Sequence, residues 1–131
     1  GFDLPVGLFQ RSQFGTFPQY HTSADNLDFI APEHLAKSWS IITGAIEVIE
    51  NDRRYRNTNP KGEPQLGRRG LYTAIGGDKD APAKSMAMLW ALNLSDGKHS
   101  LLDIAERASM PFARVLEAAR LLKQSGLLVK A

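Results

Sequence analysis

From Glu33 to about Asp52, apolar residues recur at three- and four-residue spacing: Leu35, Trp39, Ile42, Ile46 and Ile49. That period places them in one stripe along a helix. Pro32 opens it, in the first turn, where its missing N–H does no harm. Ile41, Ala45 and Val48 widen the stripe, which predicts a helix buried on more than one side. Ala83 to Leu94 is apolar nearly all round, the pattern of a buried helix. Ser100 followed by Asp103 is a capping-box variant. It opens a short amphipathic helix carrying Leu101, Leu102, Ile104, Ala105 and Ala108. Ser109-Met110-Pro111 breaks it. A longer helix follows from Phe112 to Ser125, with Val115, Leu116, Ala119 and Leu122 inward, until Gly126 stops it. Leu127-Leu128-Val129 reads as a short strand. Helix, turn, short helix, tight turn, longer helix, strand is the order of a helix-turn-helix with the start of a wing.

Elsewhere the pattern is weaker. Residues 1–19 predict a short strand near Val6–Gln10 and then loop. Ser23 or Asp25 can cap a short turn over Asn26–Ile30. The run NDRRYRNTNPKGEPQLGRRGLY, rich in Asn, Pro, Gly and Arg, reads as a long extended loop. Loops of this length in a compact chain are usually functional or disordered. Ser95-Asp96-Gly97 predicts a turn, and Gly76-Gly77-Asp78 a boundary. The expected organisation is residues 1–77 as one part and 78–131 as a winged helix-turn-helix. The chain is then mostly α overall, with an α/β fragment first.

Composition narrows the picture little. The 131 residues are 43% hydrophobic and 23% charged, with no cysteine. Disulfides and thiolate metal sites are therefore excluded. No apolar run is long enough to span a membrane, and GFDLPVGLFQ lacks a signal-peptide pattern. A reducing cytoplasm is the expected location. The first residue is Gly rather than Met, so the chain reads as an excised or processed piece. Charge is more telling in its distribution: −5 over residues 1–52, +5 over 53–77 and +2 over 78–131. This is a basic belt, not the whole-surface basic field of a dedicated nucleic-acid binder.

Three places hold candidate chemistry. In FPQYHTSADN, Tyr20, His21 and Asp25 stand at the lip of a predicted turn, where Asp25 can meet free N–H groups. A zinc-binding imidazole needs its second nitrogen held by a carboxylate or carbonyl. The plainer reading is a capped turn beside an exposed histidine. In EPQLGRRGLY, Arg68 and Arg69 can clamp a carboxylate or phosphate, and Glu63 can serve as ligand or base. The plainer reading is a solvated charged loop, or an arginine that ties two domains together through backbone carbonyls. On the last helix, Arg114, Arg120 and Lys123, with Gln124, are the outward residues a DNA reader would use. Glu117 stands among them, and the first turn offers mainly Phe112, Ala113 and Arg114. Structural or protein-binding use is favoured over DNA binding, and nucleic acid is not the expected partner. His34 and His99 read as structural, and Trp39, Trp90 and the three Met residues as core.

The run YHTSAD resembles the last metal-ligand motif of the zinc aminopeptidases of the di-zinc exopeptidase group. RSQFGTFPQYHTSADNLDFI, NPKGEPQLGRRGLY and LWALNLSDGKHSLLDIAERA together resemble the C-terminal part of a bacterial aminopeptidase-like family. Its members join a zinc-peptidase-like domain to a winged helix and are often described as polysaccharide-biosynthesis proteins. The resemblance implies that His21 is one zinc ligand, that Asp25 supports it and that Tyr20 lines the site. Glu63, Arg68 and Arg69 would face substrate or lock domains together. It also implies that the other ligands and the general-base Glu lie upstream, outside this chain. The expected partners are that missing peptidase half and, in the whole protein, a peptide-like substrate. By this reading the chain alone is inactive and holds little or no zinc, because catalytic zinc needs about three protein ligands and an open position. The broad apolar face of the first helix also allows a homo-oligomer.

Overall fold

The computed structural model describes residues 2–72 and 80–131. The boundary expected at Gly76-Gly77-Asp78 lies outside them. Contacts divide the chain into two compact units, one ending at Ile46 and one running Glu47–Ala131.

The first unit has no strand among its described residues, so the strand expected near Val6–Gln10 does not form. A single 3-10 turn, Leu27–Phe29, is capped by Asn26 and not by Ser23 or Asp25. The Asn26 side chain accepts from the Asp28 N–H at 2.9 Å. Helix α1, Pro32–Asn51, begins at the expected proline. The prediction of burial on more than one side fails. Leu35, Trp39, Ile46 and Ile49 are 62%, 71%, 53% and 72% exposed. No described residue before Pro64 is buried. The stripe forms as its period demands, but it stays exposed among the described residues.

The second unit holds the core. Strand β1, Arg54–Asn57, is followed by a 3-10 turn, Gly67–Arg69. Then come α2 (Ala81–Leu94), β2 (Asp96–Ser100), α3 (Leu101–Ala108), α4 (Phe112–Gln124) and β3 (Leu128–Lys130). Leu66, Ala87, Ala91, Leu101, Val115 and Leu122 have no exposed surface and anchor one hydrophobic cluster of the three helices. The capping box on α3 is complete: the Ser100 N–H donates to Asp103 Oδ2 at 2.7 Å, and the Asp103 N–H to Ser100 Oγ at 3.3 Å. The Leu102 N–H also donates to Asp52 Oδ1, at 2.9 Å, so two carboxylates serve the α3 start. After α4, Gly126 takes φ +71, a left-handed position natural to glycine.

Three expectations are corrected here. The Asp96-Gly97 turn is the start of strand β2, and only Ser95 remains as the α2 cap. The wing is also more than a beginning, because an antiparallel sheet of order β2-β1-β3 closes the unit. Its middle strand comes from the run expected to be loop. Tyr55 pairs with Lys130 and Asn57 with Leu128 on one side, and Arg54 with Ser100 on the other. Residues 53–72 are therefore built into the winged helix, and the compact unit begins well before the expected 77/78 division. Three local neighbours could not reveal this, since the partners of β1 lie far along the chain.

Candidate functional site

The YHTSAD loop folds on local bonds. The Thr22 hydroxyl donates to the Gln19 carbonyl at 2.9 Å, and the Ala24 N–H donates to Thr22 Oγ1 at 3.2 Å. His21 takes φ +57, a left-handed conformation that a side chain normally avoids. Its ring stacks on Tyr20, with centroids 4.1 Å apart. Tyr20 in turn sits 5.8 Å edge-on to Phe17, which stacks on Phe29. An aromatic ladder thus holds the loop and leaves the histidine at the surface. Asp25 lies elsewhere. It lines a cavity of about 500 Å³ with Arg11, Phe17 and His34, and His21 is not on that wall. Among the described residues, no three His, Asp or Glu side chains converge to hold a metal ion. The donor set in this chain does not fit a zinc ion by itself, and no catalytic step is derived through one.

The EPQLGRRGLY loop is pinned to the winged helix. Leu66 is fully buried in its core. Arg69 donates to the Ser125 carbonyl, just past α4, at 3.3 Å. A guanidinium there meets the negative end of the helix dipole. The tie through a backbone carbonyl is thus what Arg69 makes, within one unit. Tyr72 donates its hydroxyl to Glu63 Oε1 at 2.8 Å, and that bond to a carboxylate pushes the Tyr72 pKa up. Arg68 is exposed beside Glu63 and Arg69 on a shallow depression of about 380 Å³.

Two of the outward residues of α4 are engaged. Arg114 holds both oxygens of Asp80 at 2.8 Å. Arg120 donates to Asn51 Oδ1 at 3.0 Å. Lys123 is exposed in the last turn. One array was missed in the sequence. His99 Nδ1 lies 3.1 Å from Asp96 Oδ2, and Arg107 reaches His99 Nε2 at 3.4 Å. Backbone N–H groups of His99 and Lys98 hold the Asp96 carboxyl well below the usual range. The Asp-x-x-His spacing was its signal in the sequence, hidden by reading Asp96 as a turn residue.

A three-helix unit closed by a small sheet, with a tight turn between α3 and α4, is a winged helix. Residues 53–130 match the winged helix-turn-helix family, and the chain belongs to it. Residues 1–52 match a domain of unknown function (DUF4910). A protein of Clostridium acetobutylicum is 53% identical over 119 residues. Its provisional name is polysaccharide biosynthesis protein with aminopeptidase-like domain. That match covers 91% of this chain and 27% of the relative. A crystal structure from the same organism, provisionally named a peptidase, superposes with a TM-score of 0.75 at 46% identity. It covers 88% of this chain and 24% of that one. The chain thus spans about a quarter of the length of the relatives it matches. Among the described residues, no helix is long and apolar enough to cross a membrane.

Proposed function

We propose that this chain is the C-terminal part of a zinc-dependent, aminopeptidase-like hydrolase. Residues 1–52 complete a peptidase domain whose remainder lies upstream, and the winged helix follows them. The observation that carries this reading is the bare first unit. A well-formed helix exposes Leu35, Trp39, Ile42, Ile46 and Ile49, and none of its residues is buried. A segment without a core of its own is stable only against another body. The names of the two Clostridium proteins support a peptidase-like body. His21 supplies one metal donor, presented by its left-handed backbone at the loop surface. Conformations of that kind concentrate at functional sites. Tyr20 orients the ring by stacking, and Asp25 supports the loop. The other ligands, the general base and the peptide-like substrate belong to the longer protein, which we place in the cytoplasm.

The test is the metal content of that longer protein and of its His21→Ala variant, with the 131-residue chain as control. The proposal expects zinc in the parent and loss of most of it in the variant. Equal metal in parent and variant would remove His21 from the site. The winged-helix alternative, duplex DNA binding through Arg114, Arg120 and Lys123, finds two of its three cations already holding Asp80 and Asn51.

A further inference from the structure

We propose that the outer face of α2 is a contact surface of the winged helix for the part of the longer protein that precedes residue 1. The proposal rests on the reading of this chain as the C-terminal part of that protein. Helix α2 turns Ala87, Met88, Ala91 and Leu92 into the core. On its other side Pro82, Met86, Leu89, Trp90 and Asn93 follow at helical spacing and are exposed or half-buried. Met86 is 47% exposed. The helix carries a single charged residue, Lys84, which lines a crevice against α4 instead. A surface helix normally shows charge on its outer face, and a helix apolar all round belongs inside a larger body.

Met86, Leu89, Trp90 and Asn93 line a shallow hollow of about 280 Å³. Leu89 and Asn93 also line the neighbouring pocket beside Pro60 and Pro64, so the apolar surface continues onto the 60–64 loop. Tryptophan and methionine are enriched where proteins meet. Two observations choose the occupant. These few side chains fall well short of the roughly 20–30 residues a side of a stable free dimer. A contact of this size holds when both sides belong to one polypeptide, where effective concentration replaces area. The chain also spans about a quarter of the relatives it matches, which leaves a large body to supply the other side. The matching surface on that body is then apolar and poor in charge.

Met86 and Met88 supply the test, since they share one helix and differ in cover, Met88 being 2% exposed. Oxidation of both by hydrogen peroxide is followed by mass spectrometry in the 131-residue chain and in the longer protein, with sedimentation giving the mass of each. In the chain Met86 should oxidise much faster than Met88. In the longer protein, as a monomer, the Met86 rate should fall at least about fivefold. Asn93→Glu places a charge on the face at an exposed position. It should leave Met88 slow in both proteins, the sign of an intact fold, and return Met86 in the longer protein to the rate of the chain. The proposal fails if Met86 oxidises equally fast in both proteins, or if the folded Asn93→Glu variant protects Met86 as the parent does. Amide exchange of α1 in the longer protein separates the two readings. Protected α1 beside a fast Met86 overturns the α2 contact and leaves the peptidase reading standing, and exposure of both overturns both. Slowing of Met86 that grows with the concentration of the chain alone, with a dimer in sedimentation, makes a second copy the occupant and overturns the proposal.

Discussion

Ser100 shows how much one side chain can decide. Its hydroxyl and the Asp103 carboxylate each accept from the other's backbone N–H, satisfying two donors at the α3 start. Ser100→Ala should therefore lower the stability of the winged helix by about 1 kcal/mol, measured by urea denaturation. Both Asp103 and Asp96 have their pKa lowered from an ordinary value of 3.8, in each case first by backbone N–H donors. Carboxylates shifted down stabilise the fold above their unfolded pKa, and that contribution is lost as pH falls through the folded one. The urea midpoint should drop as pH falls below roughly 4. Asp96→Asn should narrow the gap between parent and variant as that acid range is entered. A midpoint gap that stays constant with pH would count against this role. The capping box was legible in the sequence because its partners are three residues apart. The left-handed backbone of His21 was not, since no neighbour dictates it and histidine tolerates it better than most residues.

At the scale of elements, periodicity carried α1, α3 and α4, whose apolar residues repeat at helical spacing. It failed on β1. RYRN is a short alternation with arginines on its exposed face. Its pairing partners stand at residues 96–100 and 128–130, beyond the reach of any local window. Leu66 was hidden in the same way, between a proline and a glycine in a run that reads as loop. If the segment is part of the winged helix, Leu66→Ala should cost about 2–5 kcal/mol, as other buried leucine truncations do. A loss below about 0.5 kcal/mol would return the run to a surface loop. Arg114 and Asp80 are half exposed, so Arg114→Ala should cost at most about 1 kcal/mol. The proposal expects α4 to show no steeply salt-dependent binding to duplex DNA, the mark of a phosphate reader. Steep salt dependence that vanishes in the Arg114→Ala, Arg120→Ala double variant would favour the DNA reading.

For the whole molecule, the contrast between the two units governs the account. Glu47–Ala131 buries a continuous apolar cluster, and none of the described residues before it is buried. The sequence showed the broad apolar stripe of α1 but could not show that it stays exposed among the described residues. A chain starting at Glu47 should keep one cooperative thermal transition, its midpoint within about 4 °C of the full chain's. The most direct measurement is amide hydrogen exchange of α1 in the 131-residue chain and in the longer protein. The account predicts fast exchange from Glu33 to Ile46 in the chain alone, beside slow exchange in α4. It predicts strong protection of the same α1 amides in the longer protein. If α1 is already as protected as α4 in the monomeric chain, or stays unprotected in the longer protein, then residues 1–52 do not complete a larger domain and the peptidase reading falls.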